Sequence, residues 1–390
     1  MIGISKLLID KTEPSDELRY GKDGHPGQTP ASRNRPIVVY NCLQRCNLRC
    51  LHCYARATIT ENEDTLSTAE AKAMIESCAA FGSPVMLFSG GEPLMREDLF
   101  ELVRHAGRQG LRTTVSTNGT LITRELARDL ATCNMGYVGV SLDGMEATHD
   151  RFRRVKGSWK AALQGVENCQ AEGLRTGLRI TLTRDNVSEV PRIFDLLVEA
   201  GIPRLCLYHL VYTGRGSDLM EADLSHEQTR EVMEVIIEKT LELHSRGHER
   251  EVLTVDNHAD GPFLWLWAQK HRPELAERIF RMISANRAQS TGQGIASVSW
   301  NGDVLPDQFW REKILGNIRE KSFEAIWMNP ENRFLRDLRR REQLVTGKCA
   351  RCRFLETCRG GFRARAEAKY QDLWAEDPAC YLREEEIAVH

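Results

Sequence analysis

Six short apolar runs lie in the first 211 residues: IVVYNC at 37–42, VMLFSGG at 85–91, LRTTVSTNG at 111–119, YVGVSLDG at 137–144, LRTGLRITLT at 174–183 and RLCLYHLV at 204–211. Amphipathic stretches separate them. Ser67 and Glu70 make a capping-box pattern before a helix whose Ala71, Met74, Ile75 and Cys78 share one face, and further helices are expected at about 97–109, 123–133, 158–172 and 188–200. Strands alternating with helices give parallel βα units, whose right-handed crossovers allow a doubly wound sheet or an open or closed barrel. In either arrangement the loops after the strand C-terminal ends build the site. Cys46, Cys50 and Cys53, then Gly90-Gly91-Glu92, Thr117-Asn118-Gly119 and Ser141-Leu142-Asp143-Gly144 all fall at such ends.

Texture divides the rest. Residues 1–35 read as a loosely held, Gly- and Pro-containing N-terminal arm, with KDGHPGQTPASRNRP its clearest stretch, and 36–224 as the βα unit. Residues 225–290 read as a helical bridging segment containing DNHADG, and 291–390 as a cysteine-rich C-terminal domain that opens with a hairpin turning at Asn301-Gly302. Lys and Arg (53) nearly balance Asp and Glu (55), which argues against a general nucleic-acid or anionic-membrane binder. No apolar run approaches the roughly 20 residues of a membrane span, and the start, MIGISKLLIDKTEPSDE, lacks an export-signal pattern, so a cytoplasmic location is expected.

In a large chain read as cytoplasmic, twelve cysteines point to metal binding ahead of disulfides. Cys46-x3-Cys50-x2-Cys53 supplies three thiolates from one loop, one fewer than a four-iron cluster needs, so one iron is left open to a small molecule. Structural zinc, or a cluster completed by Cys42, is the alternative. The zinc reading is disfavoured because the spacing lacks paired C-x2-C units or a histidine pair. Cys349, Cys352, Cys358 and Cys380 could saturate a second cluster, or hold a zinc ion.

These motifs together resemble the radical S-adenosylmethionine (SAM) superfamily, whose C-x3-C-x-aromatic-C signature is met by CNLRCLHC, with His52 at the aromatic position. Gly90, Gly91, Glu92 and Pro93 look like its GGEP element, with glycines admitting backbone close to the ligand and Glu92 accepting from the SAM ammonium. Thr117, Asn118, Ser141 and Asp143 resemble its ribose and carboxylate contacts, and Arg153 or Arg154 adds a charged one. The resemblance implies a partial (β/α)6 barrel and a [4Fe-4S] cluster with an open iron. It also implies reductive cleavage of SAM to a 5'-deoxyadenosyl radical, with a reductant such as flavodoxin or ferredoxin. The C-terminal C-x2-C-x5-C is similar to SPASM or twitch-type extensions and implies one auxiliary [4Fe-4S] cluster. Where such extensions often place a further cysteine after the hairpin, this chain has Pro306-Asp307.

Substrate identity is expected in YHLVYTGRG at 208–216, DNHADG at 256–261 and PDQFW at 306–310, with His209, Tyr212, Arg215 and His258 as substrate-side candidates. FLWLW at 263–267 reads as core, and the Arg333, Arg336, Arg339, Arg340 and Arg341 helix as a solvated face. TGRGSD, DNHADG, PDQFW and LGNI in that order, with the opening ISKLLIDKTEPSDELRYGKD, resemble the sirohaem-derived haem-synthesis branch of the superfamily. That likeness implies an iron tetrapyrrole substrate and removal of acetate side chains from didecarboxysirohaem, on the way to haem b or haem d1. The runner-up is oxidative decarboxylation of Fe-coproporphyrin III. A peptide-modifying maturase and a non-enzymatic iron-sulfur carrier are the readings outside this branch.

Overall fold

All six apolar runs form strands, and the capping box is in place: the Ser67 hydroxyl accepts from the Glu70 N–H and Glu70 accepts from the Ser67 N–H at 2.8 Å, starting helix Thr68–Phe81. The computed structural model describes residues 1–390 except 11, 12, 14, 22–28, 61–63, 289, 290, 389 and 390. The whole KDGHPGQ stretch of the N-terminal arm, 22–28, therefore lies outside the described residues.

In chain order the strands are β1 (Ile2–Gly3), β2 (Ile37–Leu43), β3 (Val85–Gly90), β4 (Arg112–Thr117), β5 (Val138–Ser141), β6 (Thr176–Leu182), β7 (Arg204–His209), β8 (Glu251–Val255), β9 (Ile295–Val298), β10 (Asp303–Leu305) and β11 (Gly316–Asn317). They make one sheet in the order β1-β8-β7-β6-β5-β4-β3-β2-β9-β10-β11. From β2 to β8 every neighbour is the next strand in sequence and every pair is parallel. A doubly wound sheet would reverse its order at a switch point. This one does not, so it is a partial barrel.

Alternation along each strand sorts the two faces. On β4, Thr113 and Val115 are buried on one side while Arg112, Thr114 and Ser116 line the lumen, and Thr117, at the strand end, is buried and also reaches the cavity. Helices Leu99–Arg108, Arg124–Thr132, Ser158–Ala171 and Val190–Glu199 cover the outside with residues such as Leu102, Leu130, Val166 and Ile193, all fully buried.

Three expectations are corrected. The bridging segment is not wholly helical, because Glu251–Val255 adds a parallel strand to β7. The described part of the N-terminal arm is not loose: β1 pairs antiparallel with β8, and Ile4, Leu7, Leu8 and Tyr20 are buried. The basic helix is not simply a solvated face, since Arg341 is fully buried and Arg339 donates to the carbonyls of Gly292 and Trp327. FLWLW lies in helix Asp260–His271 with Phe263 and Leu264 in the core. The hairpin turns at Gly302 with φ +90°, and β9 joins β2 in parallel, carrying the C-terminal segment onto the sheet.

Candidate functional site

The loop after β2 carries Cys46, Cys50 and Cys53, and its shape is set by β3. The Gly91 N–H donates to the Leu43 carbonyl at 2.7 Å and the Glu92 N–H to the Arg45 carbonyl at 2.8 Å. A Cβ on Gly90 would lie 2.4 Å from the Leu43 oxygen, and one on Gly91 2.2 Å from the Arg45 oxygen. These glycines therefore let the strand end close on the cysteine loop. Glu92 is fully buried, and its carboxylate accepts from the Thr117 hydroxyl (2.7 Å), the Asn118 N–H (2.8 Å) and the Leu94 N–H (3.2 Å). It ties β3 to β4 and does not line the cavity. In place of the expected ammonium contact, Gly90 and Gly91 present the cavity wall at this corner.

The three thiols carry donors suited to thiolates. The Leu48 N–H reaches Cys46 Sγ at 3.3 Å, the Ala57 N–H reaches Cys53 Sγ at 3.4 Å, and Arg153 Nη1 reaches Cys50 Sγ at 3.2 Å. Asn118 Nδ2 lies 3.8 Å from Cys46 Sγ and donates to Asn47 Oδ1 at 2.8 Å. Burial pushes the Cys46 thiol up to about 12, so in the absence of a metal it keeps its proton, which a bound metal would displace. Cys42 is separate: its thiol faces the Ser89 carbonyl at 3.3 Å, outside the cavity lining. The donor set fits a cluster held by three thiolates. Among the described residues no group of three His, Cys, Asp or Glu could hold a single metal ion.

Beside the trio stands a buried ionic group. Arg153, on helix Glu146–Arg153, lies 2.5 Å from Asp143, and His52 Nε2 lies 3.4 Å from the same carboxylate oxygen. Burial alone would raise the Asp143 carboxyl, yet Arg153, with His52 and His149, holds it below the usual carboxylate range. His52 is pulled down by burial, and Arg153 and Arg215 add to that. Ser141, Thr117 and Asn118 line the same cavity.

The cavity measures ≈ 440 Å³ and runs from the cysteine trio down the lumen to Arg112, Tyr137 and Arg204. That is within the range of roughly 300–1,000 Å³ for small-molecule sites. Of the substrate-side candidates, His209 and His258 line it and Tyr212 does not. His209 Nε2 is 3.0 Å from Asp260, which also accepts from the Tyr381 hydroxyl at 2.7 Å. The Tyr212 hydroxyl donates to Asp223 at 2.6 Å. Arg215 borders the cavity but spends Nε on the Cys50 carbonyl (2.8 Å) and Nη1 on the Ala57 carbonyl (3.0 Å), bracing the cysteine loop. His258 Nδ1 is 3.2 Å from the Cys358 carbonyl. Sequence reasoning missed Arg112, Arg179 and Arg204. The signal was present, since arginine inside a strand otherwise built of buried apolar residues must point to a lumen or a partner.

The second cysteine set lies elsewhere. None of Cys349, Cys352, Cys358 and Cys380 lines the cavity. They are close enough that burial first, then Cys380, Cys349 and Cys352, drive the Cys358 thiol well above its usual value. The Phe354 N–H reaches Cys352 Sγ at 3.4 Å. These four cysteines are the residues that would hold a second cluster. Asp307, at the position where a further cysteine is often found, is buried and accepts from the Thr291 hydroxyl (2.5 Å) and the N–H groups of Phe309 (2.8 Å) and Trp310 (3.2 Å). Its carboxylate staples the PDQFW loop.

Comparison with known proteins identifies the family. A model of the radical SAM superfamily fits residues 40–210, and one of an iron-sulfur cluster-binding domain, SPASM, fits residues 290–353. Fe-coproporphyrin III synthase of Methanosarcina barkeri is 51% identical over 100% of both chains. Pre-heme d1 synthase of Dinoroseobacter shibae is 37% identical over 92% of this chain and 89% of its own. The crystal structure of Streptococcus suis SuiB bound to precursor peptide SuiA shares the fold with a TM-score of 0.69 at 16% identity, covering 90% of this chain and 76% of that one.

Proposed function

Because the chain belongs to the radical SAM superfamily and is an enzyme of its haem-synthesis branch with a SPASM-type domain, we propose that it works at Fe-coproporphyrin III, forming it from didecarboxysirohaem. The observation that carries this is the cavity itself: a cysteine trio opening on a lumen lined by arginines, in a chain alike along its whole length to a protein named for that compound. The sequence reading puts didecarboxysirohaem deacetylation first and Fe-coproporphyrin III decarboxylation second. The 51% identical relative moves the weight to Fe-coproporphyrin III and away from haem d1, whose relative stands at 37%. A synthase makes the compound it is named for. Loss of the remaining acetate groups from didecarboxysirohaem leaves the methyl and propionate pattern of an iron coproporphyrin, so deacetylation ends at that compound and decarboxylation starts from it. Decarboxylation of its propionates is the second reading, favoured if the compound in that name is the substrate.

Cys46, Cys50 and Cys53 would hold the SAM cluster, and Cys349, Cys352, Cys358 and Cys380 the auxiliary one. When bound, the first cluster supplies the electron that cleaves SAM to methionine and a 5'-deoxyadenosyl radical able to take a hydrogen atom from substrate. The chain's own groups do the rest. Gly90 and Gly91 offer backbone at the cosubstrate corner, Thr117, Asn118 and Ser141 offer polar contacts, and Arg153 offers a cation to a carboxylate. Arg215 and Arg153 hold the cysteine loop rigid, and the walls of the lumen exclude water from a reactive radical. A low-potential one-electron donor, flavodoxin or ferredoxin, completes the set of partners. Among the described residues no helix is long and apolar enough to cross a membrane.

The test is a product assay by mass spectrometry. Anaerobically reconstituted protein with SAM and dithionite is given didecarboxysirohaem in one vessel and Fe-coproporphyrin III in another. Appearance of Fe-coproporphyrin III in the first is the expected result. Loss of carbon dioxide from propionates in the second would install the runner-up, and abundant 5'-deoxyadenosine with both tetrapyrroles unchanged would reject the substrate class.

A further inference from the structure

The inner end of the lumen gathers charge unequally. Arg19 pairs with Asp16 and Glu251, Arg175 with Glu13 and Glu251, and Arg204 with Glu251, at 2.6–2.9 Å. Arg112 and Arg179 have no carboxylate partner among the described residues, and both line the cavity. Arg179 projects from the middle of β6, donates from Nη1 to the Ser116 hydroxyl at 2.8 Å, and keeps a buried Nε without a hydrogen-bond partner. The space it occupies is built for it. Gly139 on β5 faces it, and a Cβ there would lie 2.3 Å from Arg179 Nε and 2.8 Å from Cζ. Deeper on the lumen face of β4, Arg112 sits four residues before Ser116, about 13 Å along an extended strand. Burial, then Arg175 and Arg204, pull the Arg112 guanidinium below its usual value.

A half-buried guanidinium with a buried, unpartnered Nε and no ion-pair partner among the described residues is left with donors to satisfy, and it satisfies them best by a two-pronged grip on a carboxylate. Neither Asp nor Glu of the described chain supplies one to Arg179. We propose that Arg179, with Arg112 below it, is an anion-binding floor in the barrel lumen that takes carboxylate side chains of the tetrapyrrole. The floor selects substrate by the acid groups that the radical does not attack. It rests on the tetrapyrrole reading above and adds to it the residues that would recognise the ligand.

Binding alone tests it, without turnover. Anaerobic holoenzyme is titrated with Fe-coproporphyrin III and with its tetramethyl ester, following the Soret band. Wild type should bind the acid at least ~10-fold more tightly than the ester, because charge-assisted contacts are the strong ones. Arg179→Gln should weaken acid binding by about 10- to 100-fold and leave ester binding unchanged, which is the size of one or two lost charged hydrogen bonds. Gly139→Ala and Arg112→Gln provide the same readout should Arg179→Gln fold poorly: both should narrow the acid-to-ester ratio. A wild type that binds acid and ester alike, or folded variants that keep the full ratio, overturns the floor and leaves the tetrapyrrole substrate standing. A wild type that binds no tetrapyrrole of either kind overturns both.

Discussion

The two cysteine sites use opposite surroundings for the same element. The N-terminal trio sits at a cavity mouth among charged and amide groups, with Arg153 on Cys50, Asn118 beside Cys46 and Arg215 holding the loop from below. The C-terminal four lie away from that cavity, with Cys352 and Cys380 packed against the core cluster that holds Phe354, in a segment that also carries the buried ion pair between Arg365 and Asp377 at 2.8 Å. On the function proposed above, the difference would separate a centre that exchanges ligands from one that does not. Three thiolates would leave a coordination position of a four-iron cluster open to chemistry, whereas four would leave none.

Substitution can break or sharpen that contrast. Cys50→Ala should abolish 5'-deoxyadenosine formation, a loss of at least about 10³-fold, since the electron source for SAM is removed. Iron at the C-terminal site should persist, as judged by iron and sulfide content. Cys358→Ala should do the reverse, keeping SAM cleavage while removing that iron; if deoxyadenosine formation vanished as well, the two sites would not be separable in this way.

Asp377→Asn should cost about 3–5 kcal/mol in denaturant unfolding, because Arg365 would stay buried without its counter-charge. Burial would raise the Asp377 carboxyl, but Arg365 and the Phe362 N–H hold it below the usual carboxylate range. A depressed folded value means that its contribution is full above the unfolded value near ~4 and is lost as pH falls through the folded one. Wild type should therefore lose stability below about pH 4 more steeply than the variant.

Gly91→Ala should cost about 1–3 kcal/mol by forcing the β3 end off the Arg45 carbonyl. It should also lower cluster reconstitution at the trio while sparing the C-terminal iron. The smallest effect belongs to Asp307→Ala, about 1–2 kcal/mol for the N–H groups it leaves uncapped. Its iron content should equal wild type, and a fall there would mean that Asp307 acts on a cluster and not only on the loop.

Much of the fold and of the cysteine loop is legible in the sequence. The period-two apolar runs and the Ser67 box carry their own local physics, and the cysteine spacings state how many ligands a loop can offer. What escaped depends on contacts distant in sequence. EVLTV at 251–255 is too short and too closely flanked by charged residues to announce β8, which exists because β7 and β1 flank it. Arg341 looks like one more solvated arginine until Thr291 and Leu338 present carbonyls to it. Glu92 is a polar residue in a motif, and only the fold reveals that its oxygens are consumed by Thr117 and Asn118.

The outermost strands, β1 and β11, are only two residues long, and each is antiparallel to its inner neighbour. An incomplete barrel of parallel strands would otherwise end in long rows of unmet amides, the kind of template on which a second chain can grow. Here the rims are trimmed to stubs, so the lumen can stay open to a bulky guest without offering neighbouring molecules a seam to zip into.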